Sequence, residues 1–593
     1  MSALQNFTGV IWRNLVPPEQ HPGFNYEGFH PNLSVPLNRG HQLNSSYCAF
    51  RNDTILDFDV QVSMRDGVSI FTNVYRPASS EAPKMPALIA WSPYGKGGGG
   101  SGPQNYDSMG PFRMNIDYQS LSGYETFEGP NPAEWVERGY VVVDPDARGA
   151  MHSEGDIAFS GEQEALDVYD LIEWTTQQSW SDGNAVMFGN SWLAIAQINH
   201  AARSPHPALK AIAPWEAMND LYRETIAKGG ISNPEDAFGE LIMGGFAGYF
   251  KTEDPYSTLT NRPLYDDYWE SKHIDVQRIN IPTYLTASYS SRLHSLGSFN
   301  SFDKIQSKNK WVRVHATQEW NDLYKQQNMD DLQRFYDYFA KGITDNGWDQ
   351  TPPMRLTLLA MDGSVAKPVI ERPELDRGYP LKRTEMIKYN LDAASMSLTL
   401  EPVATLANAS YEAHNLTGQI DFNLTFDRYT EVSGLPWIKL FMSCKEKDDM
   451  DVHVILRKRN VEGELLSYAN YRMPAPIDKV PNVNVAKFQG PDGSLRASHR
   501  VSQVEKVDPL EVPAYTHMMR ESIPNGTVVG LEIPIWPIGM VFEAGEGLAV
   551  VVAGHDLRLP EVGEAKLLDG NVGQHVVHTG GEFESFLMLP VIN

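Results

Sequence analysis

The chain has 593 residues, with 49 Lys and Arg against 75 Asp and Glu, for a formal net charge of −26. That length suffices for two or three domains, and a composition of 41% hydrophobic and 21% charged residues excludes wholesale disorder. So acidic a chain lacks the basic footprint that nucleic acid or an anionic membrane surface requires, and its two cysteines, Cys48 and Cys444, exclude a disulfide framework and a CxxC-type zinc site.

The first twenty residues, MSALQNFTGVIWRNLVPPEQ, carry no basic start and no apolar run of signal-peptide length. No stretch of about 18 apolar residues follows anywhere. A cytoplasmic protein is the expectation, and the N-x-S/T sequons at Asn32, Asn44, Asn415 and Asn423 read as chance matches. Residues 1–55 are polar, rich in Pro and Asn, and predict an extended arm lying over the body.

From Phe58 the text alternates: FDVQVSM, a turn at Arg65-Asp66-Gly67, then VSIFTNVY, which predicts a β-hairpin. PALIAWSP is a short continuous apolar run, the signature of a strand buried on both faces. The Gly-rich loop GKGGGGSG follows it and reads as a mobile loop over a site; it lacks the spacing of a phosphate-binding P-loop. Runs of the same type recur at Tyr140–Asp146, Ala185–Ser191, Leu209–Trp215, Pro282–Ser290 and Lys310–Ala316. Between them EQEALDVYDLIEWTTQQ sets Ala165, Val168, Leu171, Ile172 and Trp174 near one helical face. Strands alternating with helices predict βαβ units and a mostly parallel sheet over residues 56–350. The aromatic- and Gly-rich interval of about 219–275 interrupts the rhythm and reads as an inserted cap. Beyond Pro352-Pro353 the segments MRLTLLAM, IDFNLTF, WIKLFMSC, DVHVILRKR and GLAVVVAG have no helices between them, which predicts an all-β sandwich over 351–593.

The strongest chemical signal is FGNSWLA, Phe188 to Ala194, between a buried-type strand and the helical text IAQINHAAR. A serine on such a strand-to-helix turn is held with its Oγ exposed, and small residues must flank it. Leu193 stands where a G-x-S-x-G motif has its last Gly. Two further loops, WSPYGK and DARGAMHSEGD, end strands at the edge where open α/β sheets build sites. Arg148, in the second, reads as an ion-pair partner for Glu154 or a nearby Asp. No HExxH or other ligand spacing surrounds His200 and His206, and no G-x-G-x-x-G follows the first strand, so neither a metal nor a nicotinamide cofactor is expected.

Together SPYGK, DARGAMHSEGD, GNSWLA, the following PW, and the later GQIDFNLTF, DMDVHVILRK and RASHR resemble the cocaine-esterase-like and X-prolyl dipeptidyl aminopeptidase-type α/β-hydrolases, from about residue 55 to the end. The resemblance implies an α/β-hydrolase domain with an inserted helical cap and a C-terminal jelly-roll. It implies ester or amide hydrolysis through an acyl-enzyme, without a cofactor. It places the nucleophile at Ser191 and the oxyanion donors at the Tyr94 hydroxyl and the Trp192 backbone N–H. The family's acid follows the strand PTYLTASYS, where this chain has Ser290 and Ser291. Its histidine follows the next strand, where an ungapped alignment puts Gln318, with His315 three residues earlier. His315 is therefore the first candidate base and His294 the alternative acid/base, with Glu319 and Asp322 as candidate orienting carboxylates. Trp215 and Tyr222 are candidate walls of an apolar substrate pocket. The expected partner is a small, partly apolar molecule, and self-association into a homo-oligomer stays open. The substituted acid and histidine positions keep two alternatives: a non-hydrolytic member of the fold catalysing acid/base cyclisation or isomerisation, and a binding protein.

Overall fold

The computed structural model describes residues 7–96, 105–231, 237–362, 368–508, 510–561 and 563–593. Most of the Gly-rich loop, from 97 onward, lies outside them.

The body of the first sheet, among the described residues, runs through β1 (Thr54–Ser63), β2 (Ser69–Pro77), β3 (Met85–Ile89), β4 (Val141–Pro145), β5 (Ser181–Asn190), β6 (Leu209–Trp215), β7 (Thr283–Ser288), β8 (Lys310–His315) and β9 (Met354–Leu359). β1 and β2 form the hairpin anticipated from their alternation, closed through Ser63 opposite Ser69. β2 pairs antiparallel with β4. All later neighbours are parallel, giving the order β1-β2-β4-β3-β5-β6-β7-β8-β9. The continuous apolar runs have the predicted consequence: Val141, Val142, Val143, Val186, Met187 and Phe188 are fully buried, as strands covered on both faces require. Helices α1 (Glu162–Thr176) and α2 (Trp192–Arg203) pack on one another and on the sheet. Ala165, Val168, Leu171 and Ile172 form the buried face of α1.

The N-terminal arm is tied down at two places. Ser34–Leu37 pairs with β1, and Trp12–Asn14 pairs with Lys251–Glu253 in the interval read as a cap. That interval contains short helices at Pro255–Asn261 and Asp267–Lys272. It is anchored by a fully buried ion pair, Lys272 Nζ to Glu253 Oε2 at 2.6 Å.

The C-terminal all-β half pairs Trp437–Cys444 with Val529–Pro534, Gln574–Thr579 and Phe586–Ile592, and Asp451–Arg459 with Asp492–Arg496 and Gly547–Ala553, all antiparallel. β9, which opens the run of helix-free segments in the sequence, also extends the first sheet through its parallel pairing with β8. Hydrogen bonds from this half grip the loops after β7 and β8. Asn484 Nδ2 donates to the Ser290 carbonyl at 3.1 Å, and Gln318 N–H donates to the Asn470 carbonyl at 2.9 Å.

Candidate active site

Because β3 to β8 run parallel, the loops leaving their C-terminal ends converge on one edge. Tyr94 follows β3, Ser191 follows β5, Glu216 follows β6, His294 follows β7, and Gln318 and Glu319 follow β8.

Ser191 has φ 54° and ψ −120° at the mouth of α2. A non-glycine residue pays strain in this region, which is a mark of functional turns. The turn is held from two sides. Ser191 N–H donates to the Glu216 carbonyl at 3.2 Å, and Glu216 itself has φ 58°. On the other side Leu193 packs against Gly189, where an added Cβ would lie 2.4 Å from the Leu193 Cβ and φ is 138°. The Leu at the position of the usual last glycine is thus accommodated by the absence of a side chain at Gly189. Trp192 opens α2, so its N–H is one of the first-turn donors without an intrahelical acceptor. Tyr94 lines the same cavities as Ser191; burial, with the nearby Glu128 charge, pushes that phenol well above its usual range.

Two adjoining cavities meet at Ser191, Tyr94, Ile242, Leu293 and His294. One is apolar, walled by Phe159, Trp192, Ile195, Leu221 and Tyr256. The other has apolar walls as well, including Met109, Phe127 and Val485, and adds polar side chains from Glu128, Ser290, Gln318, Glu319 and, from the C-terminal half, Asn484 and Glu561.

His294 is 2% exposed. Its Nδ1 lies 3.2 Å from Glu319 Oε1 and 3.2 Å from Ser291 Oγ, while the Ser291 hydroxyl also accepts the His294 N–H at 3.2 Å. Among the described residues nothing hydrogen-bonds its Nε2. Burial alone lowers the affinity of this imidazole for its proton, but the charge and hydrogen bond of Glu319, with Glu216 and Glu128 behind it, outweigh that and raise its pKa. The same attraction overcomes burial at Glu319 and lowers its carboxyl.

His315, first among the candidate bases in the sequence, lines neither cavity. Its Nε2 sits 2.7 Å from Glu216 Oε1, and its Nδ1 is 3.4 Å from Thr317 Oγ1. It supports, from beneath, the residue whose carbonyl holds the Ser191 turn. Gln318 caps the helix Glu319–Leu323 by accepting from the N–H groups of Trp320 and Asn321. Asp322 is committed to Arg313, which it meets with both oxygens. Trp215 and Tyr222 also lie outside both cavities. Trp215 packs on Phe188 and Tyr284 within the core, and Tyr222 donates to the Pro263 carbonyl at 2.7 Å within the cap. Arg148 pairs with Asp167 at 2.6 Å and Asp66 at 3.0 Å rather than with Glu154.

Glu216, His294 and Glu319 place one donor atom each within 4.8 Å of the others, the arrangement a divalent ion would need. Here His294 pairs with Glu319, and Glu216 lies 2.7 Å from His315. The residues that sequence reasoning missed are Glu128, Glu216 and the contributors from the C-terminal half. Glu128 is a lone acid in no motif, and Asn484 and Glu561 reach the site only through tertiary packing.

Comparison with known proteins gives a consistent picture. Residues 66–255 match the X-Pro dipeptidyl-peptidase (S15 family) model, and residues 346–588 match the X-Pro dipeptidyl-peptidase C-terminal non-catalytic domain. The cocaine esterase of Rhodococcus sp. (strain MB1 Bresler) is 38% identical over 165 residues, 28% of this chain and 24% of that protein. A putative Xaa-Pro dipeptidyl-peptidase of Bacillus cereus is 23% identical over 328 residues, 50% of this chain and 51% of that protein. The matched stretches thus span a quarter to a half of these curated relatives. A solved CocE/NonD family hydrolase from Staphylococcus aureus is 28% identical and superposes with a TM-score of 0.83, covering 96% of this chain and 97% of its own. An α-amino acid ester hydrolase shares the fold at 17% identity and a TM-score of 0.66, over 91% of this chain and 97% of that one. No helix among the described residues is long and apolar enough to cross a membrane.

Proposed function

We propose, from the premise that this chain belongs to the X-Pro dipeptidyl-peptidase (S15) and cocaine-esterase-like hydrolase family, that it is a serine hydrolase with the triad Ser191–His294–Glu319. The observation that carries this reading is that Ser191, Tyr94 and His294 line the same cavities while Glu319 lies 3.2 Å from Nδ1 of His294. The strand order supports an α/β-hydrolase fold, and the antiparallel C-terminal half supports a jelly-roll.

In the family the acid follows the strand equivalent to β7 and the histidine the strand equivalent to β8. In this chain the two are exchanged: the imidazole comes from the β7 loop and the carboxylate from the β8 loop. A triad is defined by geometry and roles, so either loop order serves the chemistry. Glu319 fixes the tautomer of His294 by accepting from Nδ1–H, which leaves Nε2 as the base. Ser191 Oγ attacks an ester or amide carbonyl carbon and gives its proton to Nε2. The Tyr94 hydroxyl and the Trp192 N–H donate to the oxyanion that forms. Collapse of the tetrahedral intermediate breaks the bond to the leaving group, which takes the proton from His294. Water, activated by the same imidazole, then releases the acid and restores Ser191. Two mostly apolar cavities meeting at the nucleophile, one of them with added polar side chains, favour a small, partly apolar ester or amide.

Intact-protein mass after exposure to a fluorophosphonate tests the reading. It requires a single adduct that is lost in Ser191→Ala. A folded protein that takes no adduct contradicts it and favours acid/base chemistry without an acyl-enzyme.

A further inference from the structure

A larger cavity, of about 500 Å³, lies under the N-terminal arm and shares no lining residue with the two that meet at Ser191. Its volume falls within the roughly 300–1,000 Å³ typical of small-molecule sites. The arm closes one side. Tyr26 and Phe29 stack on His152, with ring centroids 5.7 and 4.1 Å away, and His30 N–H donates to Asp59 Oδ2 at 2.6 Å. The other side is the sheet, with Asp59 of β1, Asn73 of β2, Lys96 beyond β3 and Asp146 beyond β4.

The placement of Asp59 is a device of the strand. β1 shifts register against β2 between Asp57 and Val60, and inside that bulge Asp59 has φ 46°. A bulge re-aims the side chain it carries, and a non-glycine residue keeps such a φ only where its surroundings enforce it. Asn73 Oδ1 accepts the Asp59 N–H at 3.1 Å, and Asp59 Oδ1 meets Lys96 Nζ at 2.8 Å. The same Nζ meets Asp146, whose Oδ1 also accepts the Lys96 N–H at 2.8 Å. Two carboxylates thus share one ammonium, which leaves one negative charge in excess. Burial raises the Asp146 carboxyl to about 6 against the pull of Lys96, so the excess is present at neutral pH. The Asp146 side chain is fully enclosed, whereas those of Asp59 and Lys96 keep 7% and 9% of their surface open and line the cavity.

The remaining wall adds charge of the same sign. Glu27 is exposed at the rim and has no partner among the described residues. Its charge is felt at Tyr124, whose phenol is raised by burial first and by Glu27 second. Asp107 is committed to Arg113 and Tyr118. His152 brings no compensating charge, because burial, with Lys96 nearby, lowers its pKa. Four half-buried rings, Phe24, Tyr26, Phe58 and Tyr124, complete the lining. Excess carboxylate beside aromatic rings is the combination that recognises organic cations. An anion would meet repulsion there, and a neutral ligand would leave the excess charge unanswered.

We propose that this cavity is a second ligand site for a small organic cation, its ammonium or quaternary ammonium group set toward Asp59 and its apolar substituents against the aromatic rings. The site stands apart from the Ser191 cleft and does not depend on the serine-hydrolase reading.

Ligand-observed NMR titration of the full chain at neutral pH tests it. Phenyltrimethylammonium is the probe, and benzenesulfonate and benzyl alcohol are the anionic and neutral controls with the same ring. The cation should bind with a Kd below about 1 mM, and each control at least about tenfold more weakly. Asp59→Asn removes the excess charge, keeps an oxygen for the His30 N–H and tolerates positive φ, and it should weaken the cation about tenfold or more. Glu27→Gln changes an exposed side chain and should weaken it about two- to fivefold. Leu293→Phe, which narrows both Ser191 cavities, should leave the affinity unchanged. No saturation transfer to the cation, a control that binds as well, full affinity retained in both D59N and E27Q, or a loss in L293F would each overturn the proposal. Thermal unfolding reports whether D59N folds; where it does not, E27Q carries the decision.

Discussion

The Nδ1 atom of His294 lies 3.2 Å from Oε1 of Glu319, and the two residues reach each other from the loops after β7 and β8. Each loop is also gripped by the C-terminal half, at Ser290 and at Gln318. The pair therefore depends on both halves of the molecule for its register. This is how a chain with Ser290 and Ser291 after β7 and Gln318 after β8 brings a carboxylate, an imidazole and a serine to one edge.

Glu319→Gln should change both the rate and its pH dependence. His294 must be neutral to accept the Ser191 proton, so kcat/KM rises with pH as the imidazole loses its own. In the wild type Glu319 holds that pKa above the ordinary value, which places the acid limb above about pH 6.5. Without the carboxylate, burial dominates and the limb moves to lower pH. The maximal rate should fall by about 10²–10⁴, as for loss of a triad acid. A pH profile of ester hydrolysis measures both effects. An unmoved limb would separate Glu319 from the base.

Tyr94→Phe removes one oxyanion donor and little else, because the ring remains packed between Phe127 and Phe246. The expected loss is about 10²–10³ in kcat with KM nearly unchanged. A loss confined to KM would make Tyr94 a ground-state contact.

Gly189→Ala should destabilise the protein by about 2 kcal/mol or more, because the new Cβ meets Leu193 in a backbone conformation with φ of 138°. The urea midpoint reads this directly. A neutral substitution would mean that α2 shifts freely, and the Ser191 turn would then not be rigid.

Asp322→Asn tests the division of labour between two neighbouring carboxylates. Asp322 holds the buried Arg313 guanidinium, so its loss should cost roughly 3–5 kcal/mol by leaving that charge unpaired. Arg313 overcomes burial and keeps the Asp322 carboxyl well below its ordinary range. Its contribution is therefore present above about pH 3.9 and is lost as pH falls through the lower folded value. Wild type and D322N should converge in stability in strong acid. Equal stability at neutral pH would show that the pair contributes nothing.

Much of the frame is legible in the sequence because its physics is local. A strand buried on both faces must be apolar throughout, so β3 to β8 stand out as short runs. GNSW reads as a nucleophile turn because the strand and helix flanking it have clear periods. The base is not legible in this way. His315 and His294 are both single histidines near strand ends, and what separates them is whether the ring meets Glu216 beneath the site or Glu319 beside the cavity. That depends on loop register set by Asn484 and Asn470, over 150 residues away in the chain. Trp215 and Tyr222 look like pocket walls for a similar reason, since aromatic text has the same appearance in a core as in a cleft. Glu128 gives no local signal, because it is a lone acid in no motif and reaches the site only through the fold.

The central claim is that His294, and not His315, activates Ser191. The rate of fluorophosphonate adduct formation at Ser191, followed by intact mass in wild type, His294→Gln and His315→Gln, tests it most directly. The account predicts that H294Q slows labelling by at least about 10³, while H315Q, which alters a support beneath the site, stays within about tenfold of wild type. Rapid labelling of H294Q, or a loss in H315Q as deep as that predicted for H294Q, would contradict it.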